Sequence, residues 1–233
     1  MSEARLTRSP ALACMTAMLC ASAGNAQAQL GASLSLQSDA RFRGVSLSDG
    51  QPQAALAAAY DGSEGWYGGA MLTQVHFGHQ PRRSMLLGYI GRVLPVLHGL
   101  DVEAGLTRNL YSGGTDYNYS EAYAGLLGEF WNCRLSYSPD YYGFGRSSLY
   151  FEAGLNAPLG ASLQAFVHAG TLSQPAPASG PRSPARVDTR SGATWHAERL
   201  ELSLAWVTVD RSPYAGPSDP PRRLLVFGAL TAF

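Results

Sequence analysis

The feature that most limits what this chain can become is an alternation of apolar and polar residues with period two. It recurs from one end of the sequence to the other. Ala32, Leu34 and Leu36 alternate with Ser33, Ser35 and Gln37, and Leu100, Val102, Ala104 and Leu106 alternate with Asp101, Glu103, Gly105 and Thr107. The same pattern returns in residues 131–138, 149–156, 163–170 and 200–207. Successive side chains of a strand point to opposite faces, so this pattern predicts strands with one apolar and one polar face. About twelve segments of about ten residues fit, an even number in the range of membrane barrels.

Alternation alone also fits a soluble sandwich. The connections discriminate between the two. Tight turns fall at residues 61–65, 95–99, 128–130, 158–161 and 197–198. Long loops fall at 43–51, 77–83, 112–118, 139–147, 172–186 and 210–221. Short and long connections alternate along the chain, which puts all the long loops on one rim, as in transmembrane barrels. The last stretch, RRLLVFGALTAF (residues 222–233), has the length of one strand and ends on Phe233. Its expected role is to pair with the first strand, with Phe233 as an assembly signal on the short-turn side. The fold class is therefore an all-β, transmembrane, antiparallel up-and-down β-barrel of about twelve strands. Three strands are poorly patterned: residues 53–60 are mostly alanine, while 66–77 and 222–233 are apolar on both parities.

Residues 1–28 have the form of a cleaved signal peptide. Arg5 and Arg8 form a basic start, residues 11–24 an apolar core, and Ala26-Gln27-Ala28 a cleavage site. Residues 29–233 form the single barrel domain, and the expected location is the cell outer membrane. Cys14 and Cys20 leave with the leader, so Cys133 stands alone and is expected on the apolar wall. Charged residues are only 15% of the chain and the formal net charge is zero, so no basic face marks a nucleic-acid binder.

Three stretches stand out as motifs. The first is Ser38-Asp39-Ala40-Arg41-Phe42-Arg43-Gly44-Val45-Ser46 followed by Ser48-Asp49-Gly50-Gln51-Pro52. The second is Asp116-Tyr117-Asn118-Tyr119-Ser120-Glu121 running into Tyr123-Ala124-Gly125-Leu126, and the third is Tyr137-Ser138-Pro139-Asp140-Tyr141-Tyr142-Gly143. With them the chain resembles the Gcw_chp family of proteobacterial outer-membrane proteins of unknown function. It departs from the family at Ala40, where an aromatic is usual, and in the Pro-rich loop at residues 175–184. The resemblance implies an outer-membrane barrel and supplies neither reaction nor substrate.

Catalytic and metal-binding groups are sparse. His76 and His79 are three residues apart, hence on opposite strand faces, and have no carboxylate or cysteine nearby. His168 has Ser162 and Glu152 near it but no serine in an elbow. The chain is expected to be no enzyme and to need no cofactor or metal. Tyrosines 117, 119, 123, 137, 141, 142 and 150 gather around the middle long loops, as a sugar-stacking platform or, preferably, an interfacial girdle.

The polar face carries the functional expectation. Arg41, Arg43, Arg92, Asp101, Glu103, Glu121, Arg134, Glu152 and Glu201 have apolar sequence neighbours. If apolar residues face lipid, these charges line the lumen, and their mixed sign implies a weakly selective narrow pore or ion-paired filling. A small passive channel leads. A plugged scaffold displaying its loops comes second, and an embedded lipid hydrolase or acyltransferase third. The expected partners are outer-membrane lipids, the outer-membrane assembly machinery and a small-molecule solute. Arg41 and Arg43 are expected near the outer mouth, either meeting solute or bonding loop groups such as Asp39. Hairpin symmetry about the loop at 139–147 predicts an Arg134–Glu152 pair, which Glu121 could share.

Overall fold

The computed structural model describes residues 29–76, 81–113, 117–175, 185–210 and 222–233. The expected signal peptide, His79 and most of the Pro-rich loop lie outside the described residues. Twelve strands close a barrel: β1 (Gln29–Gln37), β4 (Gln53–Asp61), β5 (Trp66–Val75), β6 (Arg83–Leu97), β7 (Leu100–Tyr111), β8 (Tyr119–Leu127), β9 (Trp131–Ser138), β10 (Ser148–Pro158), β11 (Leu163–Ser173), β12 (Arg186–Ala197), β13 (Leu200–Val209) and β14 (Arg222–Ala232). Two further short strands, β2 (Arg41–Phe42) and β3 (Val45–Ser46), form a separate hairpin within the first long loop. Each barrel strand pairs antiparallel with its sequence neighbour, and β14 pairs with β1 from Ser33↔Ala232 to Gln37↔Gly228. The Phe233 amide extends this seam by donating to the Ala32 carbonyl at 2.9 Å.

The sheet is inside-out relative to a soluble barrel. Leu34, Leu36, Leu56, Leu72, Ile90, Leu106, Leu135, Phe151, Leu204 and Phe227 all point outward and are exposed. An outward apolar belt of this kind is stable only against hydrocarbon, where every backbone polar group must also be satisfied by a closed ladder. Tyr60, Trp66, Phe130, Trp131, Trp195 and Phe233 mark the short-turn rim on the outside, where amphipathic rings meet headgroups. Cys133 takes the outward parity of β9 and is half-buried.

The doubly apolar pattern of β5 has a packing cause. Its inward residues Met71 and Val75 join Met85 and Leu87 of β6 in a buried cluster with Ala40, Phe42 and Leu47 of the first loop. That loop therefore lies inside the barrel. Strand β4 is alanine-rich because Ala55 and Ala57 pack beside the same cluster, leaving room for the inserted loop.

Candidate functional site

The inserted loop is built by two tight turns. Arg43 and Gly44 have φ of 49° and 75°, and Asp49 and Gly50 have φ of 54° and 73°. Two consecutive left-handed residues suit a two-residue hairpin turn, and Gly44 closes the β2–β3 hairpin in this way. A Cβ on Gly44 would also sit 2.7 Å from Cβ of Asp188, so the hairpin tip touches β12. Asp39 staples the hairpin base, accepting from Ser46 Oγ at 2.5 Å, Arg41 Nε at 2.7 Å and Ser48 Oγ at 3.1 Å. His76 donates its amide to the Leu47 carbonyl at 2.7 Å and ties the loop to the end of β5.

From the hairpin tip, Arg43 reaches Glu121 on β8. Nη1 and Nη2 donate to the two carboxylate oxygens at 2.8 and 2.9 Å, and both side chains are buried. The guanidinium carbon lies 4.1, 4.7 and 5.7 Å from the ring centres of Tyr150, Phe42 and Tyr141. This fork-to-carboxylate pair inside an aromatic collar fixes the loop across the lumen. Tyr119, Tyr141, Tyr142 and Phe144 stack above it in edge and tilted contacts with centroid separations of 4.7–6.5 Å. In the loop between β9 and β10, burial raises the phenol pKa of Tyr141 and raises that of Tyr142 well above the usual tyrosine value; the Arg43 charge partly opposes the effect at Tyr141.

A second layer lies closer to the short-turn rim. Arg134 Nε donates to Glu103 Oε1 at 2.7 Å, with Nη2 at 2.7 Å from the same oxygen. Tyr67 donates to Glu103 Oε2 at 3.0 Å and meets the Tyr123 hydroxyl at 2.7 Å, while the Arg134 guanidinium covers the Tyr123 ring at 4.5 Å. Glu103 and Arg134 stand on β7 and β9, with Gly125 of β8 between them in register. A Cβ on Gly125 would fall 2.7 Å from Glu103 Oε1, so the missing side chain opens the route for the pair. Gly91 and Gly105 likewise lie beneath Tyr123, and Gly170 beneath Tyr150. Glycine on an intervening strand thus lets inward side chains lie flat along the wall and reach the second strand over.

On the far side, Tyr150 donates toward Asp188 Oδ2 at 3.2 Å, and its oxygen is 3.2 Å from His168 Nε2. His168 Nε2 lies 3.4 Å from Asp188 Oδ1, and Nδ1 lies 3.9 Å from Glu152 Oε2. Among the described residues, no group of three His, Cys, Asp or Glu side chains is placed to hold a metal ion.

The sequence-derived positions fall out as follows. Glu103, Glu121, Arg134 and Glu152 are inward and buried; Asp101 and Glu201 are inward and half-buried near the short-turn rim, the latter 3.4 Å from His196. Arg41 stays within the loop, bonding Asp39 and the Gly44 carbonyl at 2.6 Å, whereas Arg43 crosses to the wall. Arg92 corrects the expectation. It has the outward parity of β6, opposite Trp66, whose ring centre lies 5.5 Å from its guanidinium, and it bonds the Glu64 carbonyl at 3.1 Å. It is a rim residue outside the lumen. Arg134 does stand opposite Glu152 in register, but its hydrogen bonds go to Glu103, and Glu121 serves Arg43 instead. The girdle expectation for the tyrosines also gives way: Tyr119, Tyr123, Tyr141 and Tyr150 are buried inside, and only Tyr137 of that set faces outward from a strand. Asp39 is the expected partner of Arg41; Tyr67 and Asp188 are not among the sequence-derived positions, and Asp188 alternates with Val187 and Thr189, a signal lost beside the Pro-rich loop.

Space remains beside the loop. All five inward positions of β4 (Gln53, Ala55, Ala57, Ala59 and Asp61) are half-buried, so solvent reaches this wall at every level. At its outer end a cavity of about 460 Å³ straddles the wall: Ser48, Gln53, Ala55 and Thr73 line it from within, and the outward-facing Leu34, Leu56 and Leu72 line it from the lipid side. Twelve strands at ~4.8 Å spacing and ~40° tilt close a backbone cylinder roughly 24 Å across, of which inward side chains take about half. A hairpin some 10 Å thick then takes up most of the remaining width.

Solved structures agree on the architecture. The NanC porin aligns with a TM-score of 0.59 at 10% identity, covering 87% of this chain and 99% of its own. The KdgM porin aligns at 0.54 and 8% identity, covering 89% and 99%; one KdgM structure is a complex with disordered oligogalacturonate. Identities this low establish a shared fold only. No curated protein sequence matches the chain. The family model described as "Bacterial protein of unknown function (Gcw_chp)" matches residues 21–220 and so takes in the inserted loop, the charged wall and eleven of the twelve barrel strands. The chain belongs to the Gcw_chp family.

Proposed function

We propose that this protein is a non-enzymatic outer-membrane barrel that passes small polar solutes through a narrow crevice beside a docked hairpin plug. Its leader, residues 1–28, is removed on export, and Phe233 at the seam is the group recognised by the assembly machinery. The observation that carries the reading is the row of half-open inward positions along β4, continuous from Asp61 at the short-turn rim to Gln53 at the outer one. A wall of alanine opposite a wall of paired charges supports passage of water and small solutes without strong preference for either sign.

Planar-bilayer conductance of the refolded protein tests this, with liposome swelling across neutral sugars, amino acids and acidic sugars. Small, steady conductance and swelling limited to the smallest solutes are expected. The second reading, a closed scaffold, is favoured by the buried cluster of Leu47, Val75 and Met85 beneath the loop. Absence of both conductance and swelling in protein with heat-modifiable migration would establish it in place of the channel.

A further inference from the structure

The outward face of the barrel is almost free of charge. Among the described residues, the charged side chains on outward strand positions are Arg92, Arg108 and Arg223, with no acid among them. Arg92 belongs to the short-turn rim, and Arg223 begins its strand at the opposite rim. Arg92 is also flanked by apolar side chains, Ile90 and Leu94, but Glu64 lies beside it, its carbonyl at 3.1 Å and its carboxylate at 3.9 Å, whereas the neighbours of Arg108 on the outer face include no acid. Leu106 and Leu110 flank it on β7, and Leu86 and Ile90 flank its register partner Gly88 on β6; all four are exposed. Gly88 leaves a notch beside it, since an added Cβ would meet nothing within 4 Å. On the other side, Arg108 Nη1 donates to Ser120 Oγ at 2.9 Å.

Arg108 lies four residues before the loop at 112–118, near the long-loop rim, and Tyr137 at the end of β9 belongs to the same rim. Tyr137 is an exposed, amphipathic ring on the lipid side, the type of residue that settles at the headgroup boundary. A cation on the lipid face is destabilising in proportion to its depth. Its retention among four apolar side chains calls for an anion at the same level. A guanidinium fork matches a phosphate bidentately, and one fork edge remains after the bond to Ser120.

We propose that Arg108, Ser120 and the Gly88 notch form a binding site for a phosphate-bearing lipid of the outer leaflet. The phosphate lies against the guanidinium, and an acyl chain runs down past Ile90 and Leu106. The site rests on the outer-membrane reading but not on whether the barrel conducts.

Native mass spectrometry of the refolded full chain, incubated with diphosphoryl lipid A, measures retained lipid. Heat-modifiable migration, scored first, decides membrane-barrel folding separately. Wild-type and Arg92→Gln protein should retain lipid A equally, while Arg108→Gln should lose roughly tenfold in retention. Arg108→Lys, which keeps the charge without the fork, should fall between them. Dephosphorylated lipid A should bind wild-type protein no better than it binds Arg108→Gln. Equal retention by wild-type and Arg108→Gln protein, or retention unaffected by removing the phosphates, would overturn the site and leave Arg108 as a side chain that simply extends to water.

Discussion

Replacing Glu121 by Gln is the sharpest perturbation of the docked hairpin. Arg43 and Glu121 have side chains only 3% and 5% exposed, so the screening that makes surface pairs nearly worthless does not apply. Removing one partner of a buried pair costs about 3–5 kcal/mol, chiefly because the surviving charge is stranded. Gln retains one acceptor for the guanidinium, which places the expected loss near 3 kcal/mol. The other main anchors, Phe42 and Leu47, are 8% and 1% exposed. Burying two such side chains contributes roughly 3–6 kcal/mol, so the lost pair is comparable with everything else holding the loop. A 3 kcal/mol change shifts the docked-to-undocked ratio about a hundredfold. Single-channel recording of Glu121→Gln and Arg43→Gln should therefore show frequent larger openings. Limited proteolysis should cut near residue 49 in both. The double variant Arg43→Met/Glu121→Met strands no charge and should return toward the wild-type trace. Single variants with wild-type conductance and protease resistance would refute the assignment of this pair as the latch.

Three further outcomes follow from the wall. Arg134→Ala leaves Glu103 buried without its cation and should lower unfolding stability in denaturant titrations by about 3–5 kcal/mol, with Glu103→Gln/Arg134→Met recovering most of it. Gly125→Ala places a Cβ 2.7 Å from Glu103 Oε1 and from the Cys133 carbonyl, and the same titration should register a loss of about 1–3 kcal/mol, whereas Gly88→Ala on the open outer face should be close to neutral. The folded loop at 139–147 binds the phenol protons of Tyr141 and Tyr142 more tightly than the unfolded chain does, so their contribution is complete below pH ~10 and declines as pH rises beyond it; tyrosinate absorbance in alkaline titration should appear late for these rings and coincide with proteolytic exposure of residues 139–147.

Much of this molecule was legible in period-two patterning, and each miss has its own physical cause. Strand number, rim-sorted loops and the Arg134↔Glu152 register all follow from rules between adjacent strands. The actual partner of Arg134 depends on Gly125, because an absent side chain lets the guanidinium pass over one strand to the next. Pairwise register arithmetic contains no such step. Arg92 was misplaced because both parities of β6 are apolar, the inward set packing on the inserted loop through Met85 and Leu87. Among the tyrosines, Tyr119, Tyr123 and Tyr150 share the strand parity of Glu121 and Glu152, which turns them inward, and only for Tyr141 and Tyr142 does the loop sequence fail to declare that it folds back inside.

The position of the hairpin tip also bears on the order in which the barrel can mature. Gly44 rests against Asp188 and Val209, which belong to the last third of the chain, while its own anchors Met71 and Met85 come early. Contacts this distant in sequence form only after the intervening chain has been arranged, since closing so large a loop is entropically costly until the sheet exists to repay it. Docking of the hairpin tip is therefore a late event that depends on strands β12 and β13 already standing. The anchors on β5, β6 and β8 can hold the hairpin earlier, so the contact of its tip with β12 and β13 is the part of the seat that reports these late strands in place.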